Sequence, residues 1–256
     1  MRRLSVFCLV SLLSGLALAT PLADIQGRGT LIMGTCGDFP PFSQTDLATG
    51  AIEGLDVRLV GLLADRLGLE LETQQLSFDA LIPAVETGQV DLAGCGITIT
   101  PERGERVNFT GGYIRAAQVL LVNQGSEVSS DRADFTGLRI GVQLGTTGQY
   151  VAQGVLEPKG AEIVVFDGDL ANAFNDLETG ALDAVVVDAP TVPFLQAEGR
   201  PFQQGGPPLN DEIFGFIAAK DDSGLVAAFN ILLADLIFGS RRAEYNALLE
   251  EFGLDQ

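Results

Sequence analysis

The chain has 256 residues, enough for one or two domains of ordinary size. Its 46% hydrophobic and 19% charged residues exclude a disordered or coiled-coil composition, and a formal charge of −19 repels phosphate backbones, so no nucleic-acid partner is expected. Histidine is absent and the three cysteines form no CxxC pair, which removes His-based acid–base and triad chemistry and argues against zinc and iron–sulfur sites; no cofactor or metal is expected.

The chain opens Met1-Arg2-Arg3, then runs apolar from Leu4 to Leu18 and ends small-x-small at Ala17-Leu18-Ala19. That is the pattern of a secretory signal peptide, with residues 1–19 removed. The apolar run is about 15 residues, short of the roughly 20 that a spanning helix needs. Loss of Arg2 and Arg3 would take the charge from −19 to −21. Export puts the two remaining cysteines, Cys36 and Cys95, in an oxidising compartment, and no later segment is apolar for long enough to span.

The spacing predicts a strand at Thr30–Gly34, then a Gly/Pro loop, Gly37 to Phe42, in which the adjacent prolines Pro40 and Pro41 forbid helix. Apolar residues at Leu55, Leu59, Leu62, Leu63 and Leu67 predict an amphipathic helix from Gly54 to Gly68. A strand over Leu69–Leu76, a helix over Phe78–Thr87 and strands at Asp91–Gly94 and Ala116–Val122 follow. After a polar connection at Ser126–Asp134 the β-α-β-α-β pattern restarts, with strands at Leu138–Val142, Glu162–Phe166 and Ala184–Asp188. A strand from Ile213 to Ala219 and two helices, 224–238 and 241–252, close the chain. These helices have apolar faces and no sheet of their own, so they return to the first unit. The expected organisation is residues 20–122 plus 217–256 in one α/β lobe and 123–216 in another, with crossings near 122–124 and 214–217. Two such lobes enclose a cleft at the carboxyl ends of their strands, and a two-strand hinge permits closure.

Individually the candidate site residues are ambiguous. Arg103 follows a Thr98-x-Thr100-Pro101-x-Arg103 run and is either a surface arginine or a two-pronged carboxylate clamp. Gly145-Thr146-Thr147-Gly148 is either an ordinary strand–helix turn or an anion site of free amides. Asp188 ends a valine run as a cap or as a cation partner, and Phe39 and Phe78 are core aromatics or cleft walls. Taken together they supply an anion site, a cation site and apolar walls, matching the two ends of a zwitterionic α-amino acid.

Several stretches, in order, carry a resemblance: Pro40-Pro41-Phe42, Gly54-Leu55-Asp56-Val57, Phe78-Asp79-Ala80-Leu81-Ile82-Pro83, Gly88-x-Val90-Asp91-Leu92, Ile97 to Arg103, Asn108-Phe109-Thr110 with Tyr113, Leu138 to Thr147, and Gly180-x-Leu182-Asp183-Ala184 with Asp188. The chain resembles the periplasmic polar-amino-acid-binding proteins of ABC transporters, the family 3 extracellular solute-binding proteins, over nearly all of its length after residue 19. The resemblance implies the two-lobed periplasmic-binding-protein fold: two parallel-type sheets with flanking helices and a two-strand hinge. It implies a monomeric, non-enzymatic periplasmic protein that captures an L-amino acid and delivers it to a permease in the inner membrane.

By position, Arg103 would clamp the ligand's α-carboxylate, helped by Thr98 and the amides of Thr146 and Thr147. Asp188, the Gly96 carbonyl and the Thr98 hydroxyl would hold the α-ammonium, and Phe39 and Phe78 would sandwich the side chain. Cys36 stands where members that take basic amino acids often carry an acid, which points to a neutral polar or small ligand, although Asp38 lies close by. Gly112 replaces a proline common before Tyr113. In this family Cys36 and Cys95 would end neighbouring strands, so a disulfide between them is expected; the alternative is two small half-buried residues. Two other functions share the fold. Gly37-Asp38-Phe39 resembles a segment of the exported cyclohexadienyl dehydratases, but Ala189 to Val192 offer no acid after Asp188. A sensory amino-acid-binding protein is the other alternative.

Overall fold

The structure, a computed structural model, describes residues 21–168 and 170–254; the expected signal, residues 1–19, lies outside that range. Helix α1 (Pro21–Arg28) leads into strand β1 (Thr30–Thr35). Strands β2 (Asp38–Phe39), β3 (Ser43–Thr45) and β4 (Ile52–Glu53) form a small antiparallel sheet around the Pro40-Pro41 turn, whose peptide bond is cis. Helix α2 (Leu55–Leu67) buries Leu55, Leu59, Val60 and Leu63 at the predicted spacing and stops where Gly68 turns left-handed at φ 69°. After β5 (Glu70–Gln75), the segment expected to be one helix from Phe78 starts as a 3₁₀ turn and becomes α3 (Leu81–Glu86), which puts Pro83 in the first helical turn, where its missing N–H costs nothing.

Beyond β6 (Leu92–Ala93) lies α4 (Pro101–Arg106), a short polar helix without apolar periodicity, capped by the Thr100 hydroxyl, which accepts the Arg103 N–H at 3.2 Å. Strands β7 (Asn108–Phe109), β8 (Ile114–Ala116) and β9 (Gln118–Asn123) complete the first half. The second half contains β10 (Arg139–Gln143), α5 (Thr147–Val151), β11 (Glu162–Phe166), α6 (Ala171–Glu178), β12 (Ala184–Asp188), α7 (Thr191–Ala197), β13 (Phe202–Gln204) and β14 (Glu212–Phe214). It ends with β15 (Ile217–Ala218), α8 (Ser223–Phe238) and α9 (Arg242–Glu251).

Two five-stranded sheets organise these elements. The first runs β5-β1-β6-β15-β7, with β1 parallel to β5 and β6 and β15 antiparallel to its neighbours. The second runs β11-β10-β12-β9-β13, parallel through β11, β10 and β12 and antiparallel at β9 and β13. Leu225, Phe229, Leu232, Tyr245 and Leu248 of α8 and α9 share one buried cluster with Leu31, Leu59 and Leu63, so the closing helices complete the first unit's core. Each such leucine or phenylalanine contributes about 1.5–3 kcal/mol by burial. Val119, Leu121, Val185 and Phe202 centre a separate core in the second sheet.

Two expected elements differ. The strand foreseen at 116–122 pairs with β12 and β13, so it belongs to the second sheet and the first crossing falls nearer 114–117 than 122–124. The single strand foreseen at 213–219 is broken at Gly215-Phe216: β14 pairs antiparallel with β8 as a separate ribbon, and β15 joins the first sheet. No single helix among the described residues is long and apolar enough to cross a membrane.

Candidate functional site

The loop before α4, the turn at Phe78, the start of α5 and the β8–β14 ribbon border one cavity of about 1140 Å³. Phe78, Thr98, Arg103 and Thr147, four of the residues singled out from sequence, line it, together with Tyr150 and Glu212. Phe39, Gly96, Cys36, Thr146 and Asp188 are not among its lining residues.

Arg103 is buried in the first turns of α4. Its guanidinium donates to the Thr98 carbonyl at 2.8 Å and to the Gly145 carbonyl at 3.1 Å, and sits 5.4 Å from the Phe78 ring centre. One arginine therefore ties the first unit's loop to the turn that opens α5. Burial pulls its pKa down, and Glu212, Tyr150 and Asp188 oppose that by favouring the cation. A desolvated arginine facing a cavity is a strong receptor for a carboxylate.

Asp188, at the end of β12, accepts from the Gln118 amide at 2.6 Å. Burial raises its pKa well above the usual carboxylate range, Glu212 adds to that shift, and Gln118 and Arg103 pull the other way. The Thr98 hydroxyl donates to Glu212 at 2.6 Å and lies 3.3 Å from the Thr147 hydroxyl. Thr146 caps α5 through its own hydroxyl, accepting from Gln149 at 3.1 Å, and its amide donates to the Gln143 carbonyl at 3.4 Å. That amide is committed within the turn, whereas the sequence reading gave it to the ligand.

Gly96 has φ 58°, and a Cβ there would lie 2.3 Å from the Phe39 ring, so only glycine lets that ring close over the strand end. The Gly96 N–H donates at 2.9 Å to Asp56, a fully buried carboxyl that also accepts from the Tyr113 hydroxyl at 2.5 Å. Burial pushes Asp56 up to about 7 despite these two donors. Cys36 and Cys95 are joined in a disulfide with Cα atoms 5.9 Å apart, within the usual span for such a bridge. Both are buried, so Cys36 presents no thiol to a ligand.

A family model described as bacterial extracellular solute-binding proteins, family 3, matches residues 31–253. The chain belongs to this family. It is 32% identical over 226 residues to an L-arginine-binding protein of Pseudomonas aeruginosa, covering 85% of each chain. Among solved structures it resembles a mutant of ArgBP from T. maritima, with a TM-score of 0.82 and 33% identity over 91% of this chain and 99% of that one. An ancestral amino acid-binding protein, AncCDT-1, described as a precursor of cyclohexadienyl dehydratase, matches with the same TM-score of 0.82 and 33% identity over 90% of this chain and 98% of that one.

Sequence reasoning passed over the groups that join these residues. Gln118 starts an otherwise apolar strand, and Glu212 follows Asn210 and Asp211 in a stretch with no periodic signal. The antiparallel bridge between Thr98 and Phe214 brings Glu212 to Thr98, and the pairing of β9 with β12 sets Gln118 opposite Asp188.

Proposed function

We propose that this solute-binding protein holds a free L-amino acid by its two charged ends, between lobes that meet at the β8–β14 ribbon, and hands it unchanged to an ABC-transporter permease from the periplasm as a monomer. The observation that carries this reading is the placement of Arg103 and Asp188. A buried cation and a half-buried carboxyl face one network of Thr98, Thr147, Gln118 and Glu212, offering opposite charges a few hydrogen bonds apart. Arg103 takes the α-carboxylate; Asp188, with Thr98 and the Gly96 carbonyl, takes the α-ammonium. The side chain runs between Phe39 and Phe78.

Asp38 and Gln143 lie 3.4 Å apart where the strand ends approach each other. They give a long side chain a polar end-point and replace the acid that Cys36 does not supply. Of the neutral polar or small ligands suggested by Cys36 alone this favours glutamine, and it adds arginine, the ligand named for the Pseudomonas aeruginosa relative. Isothermal titration of the refolded, ligand-stripped full chain with L-arginine and L-glutamine tests the reading, with mass spectrometry of the recovered ligand. Saturable binding and an unchanged ligand are expected. No binding of any L-amino acid, or a chemically altered product, would overturn it.

A further inference from the structure

We propose that Glu212 is the positioning residue that fixes the direction of the Thr98 hydroxyl, making Thr98 an acceptor for the ligand's ammonium group and not a donor to its carboxylate. The inference rests on the amino-acid reading above and deepens it.

Glu212 is buried at the start of β14, in the ribbon between the two sheets. Three donors converge on its carboxyl: the Asn210 amide at 2.8 Å on one oxygen, and the Thr98 hydroxyl at 2.6 Å and the Gln118 amide at 3.2 Å on the other. A threonine hydroxyl has one proton and two acceptor sites. With that proton turned to Glu212, a bond across the 3.3 Å contact between the Thr98 and Thr147 hydroxyls runs from Thr147 to Thr98. The two protons of the Gln118 amide go to its nearer acceptors, Asp188 and Glu212, so the polarity of this short chain, from Thr147 through Thr98 to Glu212, is set by Glu212. The remaining lone pair on Thr98 is left for a donor in the cavity.

The Gln118 amide also spans Glu212 and Asp188, so both carboxyl groups are anchored through one side chain. Arg103, the cation that interacts with both acids, already spends N–H bonds on the Thr98 and Gly145 carbonyls. Removing the Glu212 acceptor frees the Thr98 proton to point into the site, where it would oppose an ammonium group and leave a carboxylate unaffected.

The test is the ratio of affinities for an amino acid and its deaminated counterpart. Wild type and Glu212→Leu, which offers no acceptor, are titrated with L-arginine and 5-guanidinopentanoic acid, or with L-glutamine and glutaramic acid, by calorimetry with competition for the weaker ligand. Hydrogen bonds to charged groups correspond to about tenfold or more in affinity. The amino-acid affinity should fall about tenfold or more, while that of the deaminated acid should change less than about twofold. In a Thr98→Val background the Glu212 substitution should cost much less amino-acid affinity than in wild type, because only its contact with Gln118 remains. If Glu212→Leu does not fold, Glu212→Asp withdraws the acceptor by one methylene and should shift the same ratio in the same direction. Equal losses for both ligands, or none, would overturn the proposal while leaving the amino-acid reading intact. Failure of the wild type to bind any L-amino acid would overturn both.

Discussion

Asp56 gives the sharpest test of how the site is supported. It is fully buried and accepts hydrogen bonds from the Gly96 N–H and the Tyr113 hydroxyl, and burial lifts its pKa to about 7 from an unfolded value of 3.8. Because the folded value is the higher one, the native state binds more protons than the unfolded state between these limits. Its contribution to stability is fully present below about pH 4 and is lost as the pH rises through 7. Between pH 5 and pH 8 the loss is about 2–3 kcal/mol. Asp56→Asn keeps the shape and removes the charge. It also turns an amide donor toward one of two donors, at a pH-independent cost of about 1–3 kcal/mol. Urea unfolding of ligand-free wild type and variant at pH 5 and pH 8 reads the difference, and Asp188 titrates in both proteins and cancels. The variant should be less stable at pH 5, and the gap should narrow or reverse by about 2–3 kcal/mol at pH 8. A gap that stays constant with pH would refute the argument, because Asp56 would then titrate alike in both states.

Other predictions concern the site directly. Arg103→Lys replaces a two-pronged cation with a point charge and should weaken amino-acid binding by about 10²-fold in calorimetry. Since burial raises the Asp188 pKa, the ligand-free carboxyl keeps to higher pH than an exposed aspartate a proton that an ammonium must displace; affinity should rise with pH through that pKa, and Asp188→Asn should be weak and flat with pH. Gly96→Ala meets both the left-handed φ and the Phe39 ring, and should lower stability by about 2–4 kcal/mol in urea and reduce binding. Denatured full-length chain without reductant should titrate a single thiol, Cys8; three thiols would contradict the Cys36–Cys95 bridge.

The periodic elements were legible because burial wrote itself into spacing. Leu55, Leu59 and Leu63 repeat at the helical interval, and the valine run of β12 marks a strand buried on both faces. Asp188 stands out in the sequence as a charge ending a valine strand and Arg103 by the Thr-x-Thr-Pro-x-Arg run, and the fold sets both around Thr98 and Gln118. What was not legible depends on pairing between distant segments. Gly215 interrupts one apolar run between two different sheets, a break that hydropathy does not record. Helix α4 is Pro-Glu-Arg-Gly-Glu-Arg, held by a cap and by Arg103 in place of an apolar stripe. Glu212 and Gln118 look like ordinary polar residues until the ribbon and the second sheet set them around Thr98.

Recognition of both ends of an amino acid is open to a thermal-shift comparison on ligand-stripped protein. Each L-amino acid is compared with its methyl ester, which lacks the carboxylate, and its deaminated acid, which lacks the ammonium. At about 100 times the dissociation constant a bound ligand adds about 2.7 kcal/mol, a shift of several degrees for a chain of this size. Such a shift is expected with one or a few L-amino acids, and little or none with either truncated form. No shift with any amino acid, or equal shifts with a form missing one charge, would contradict it.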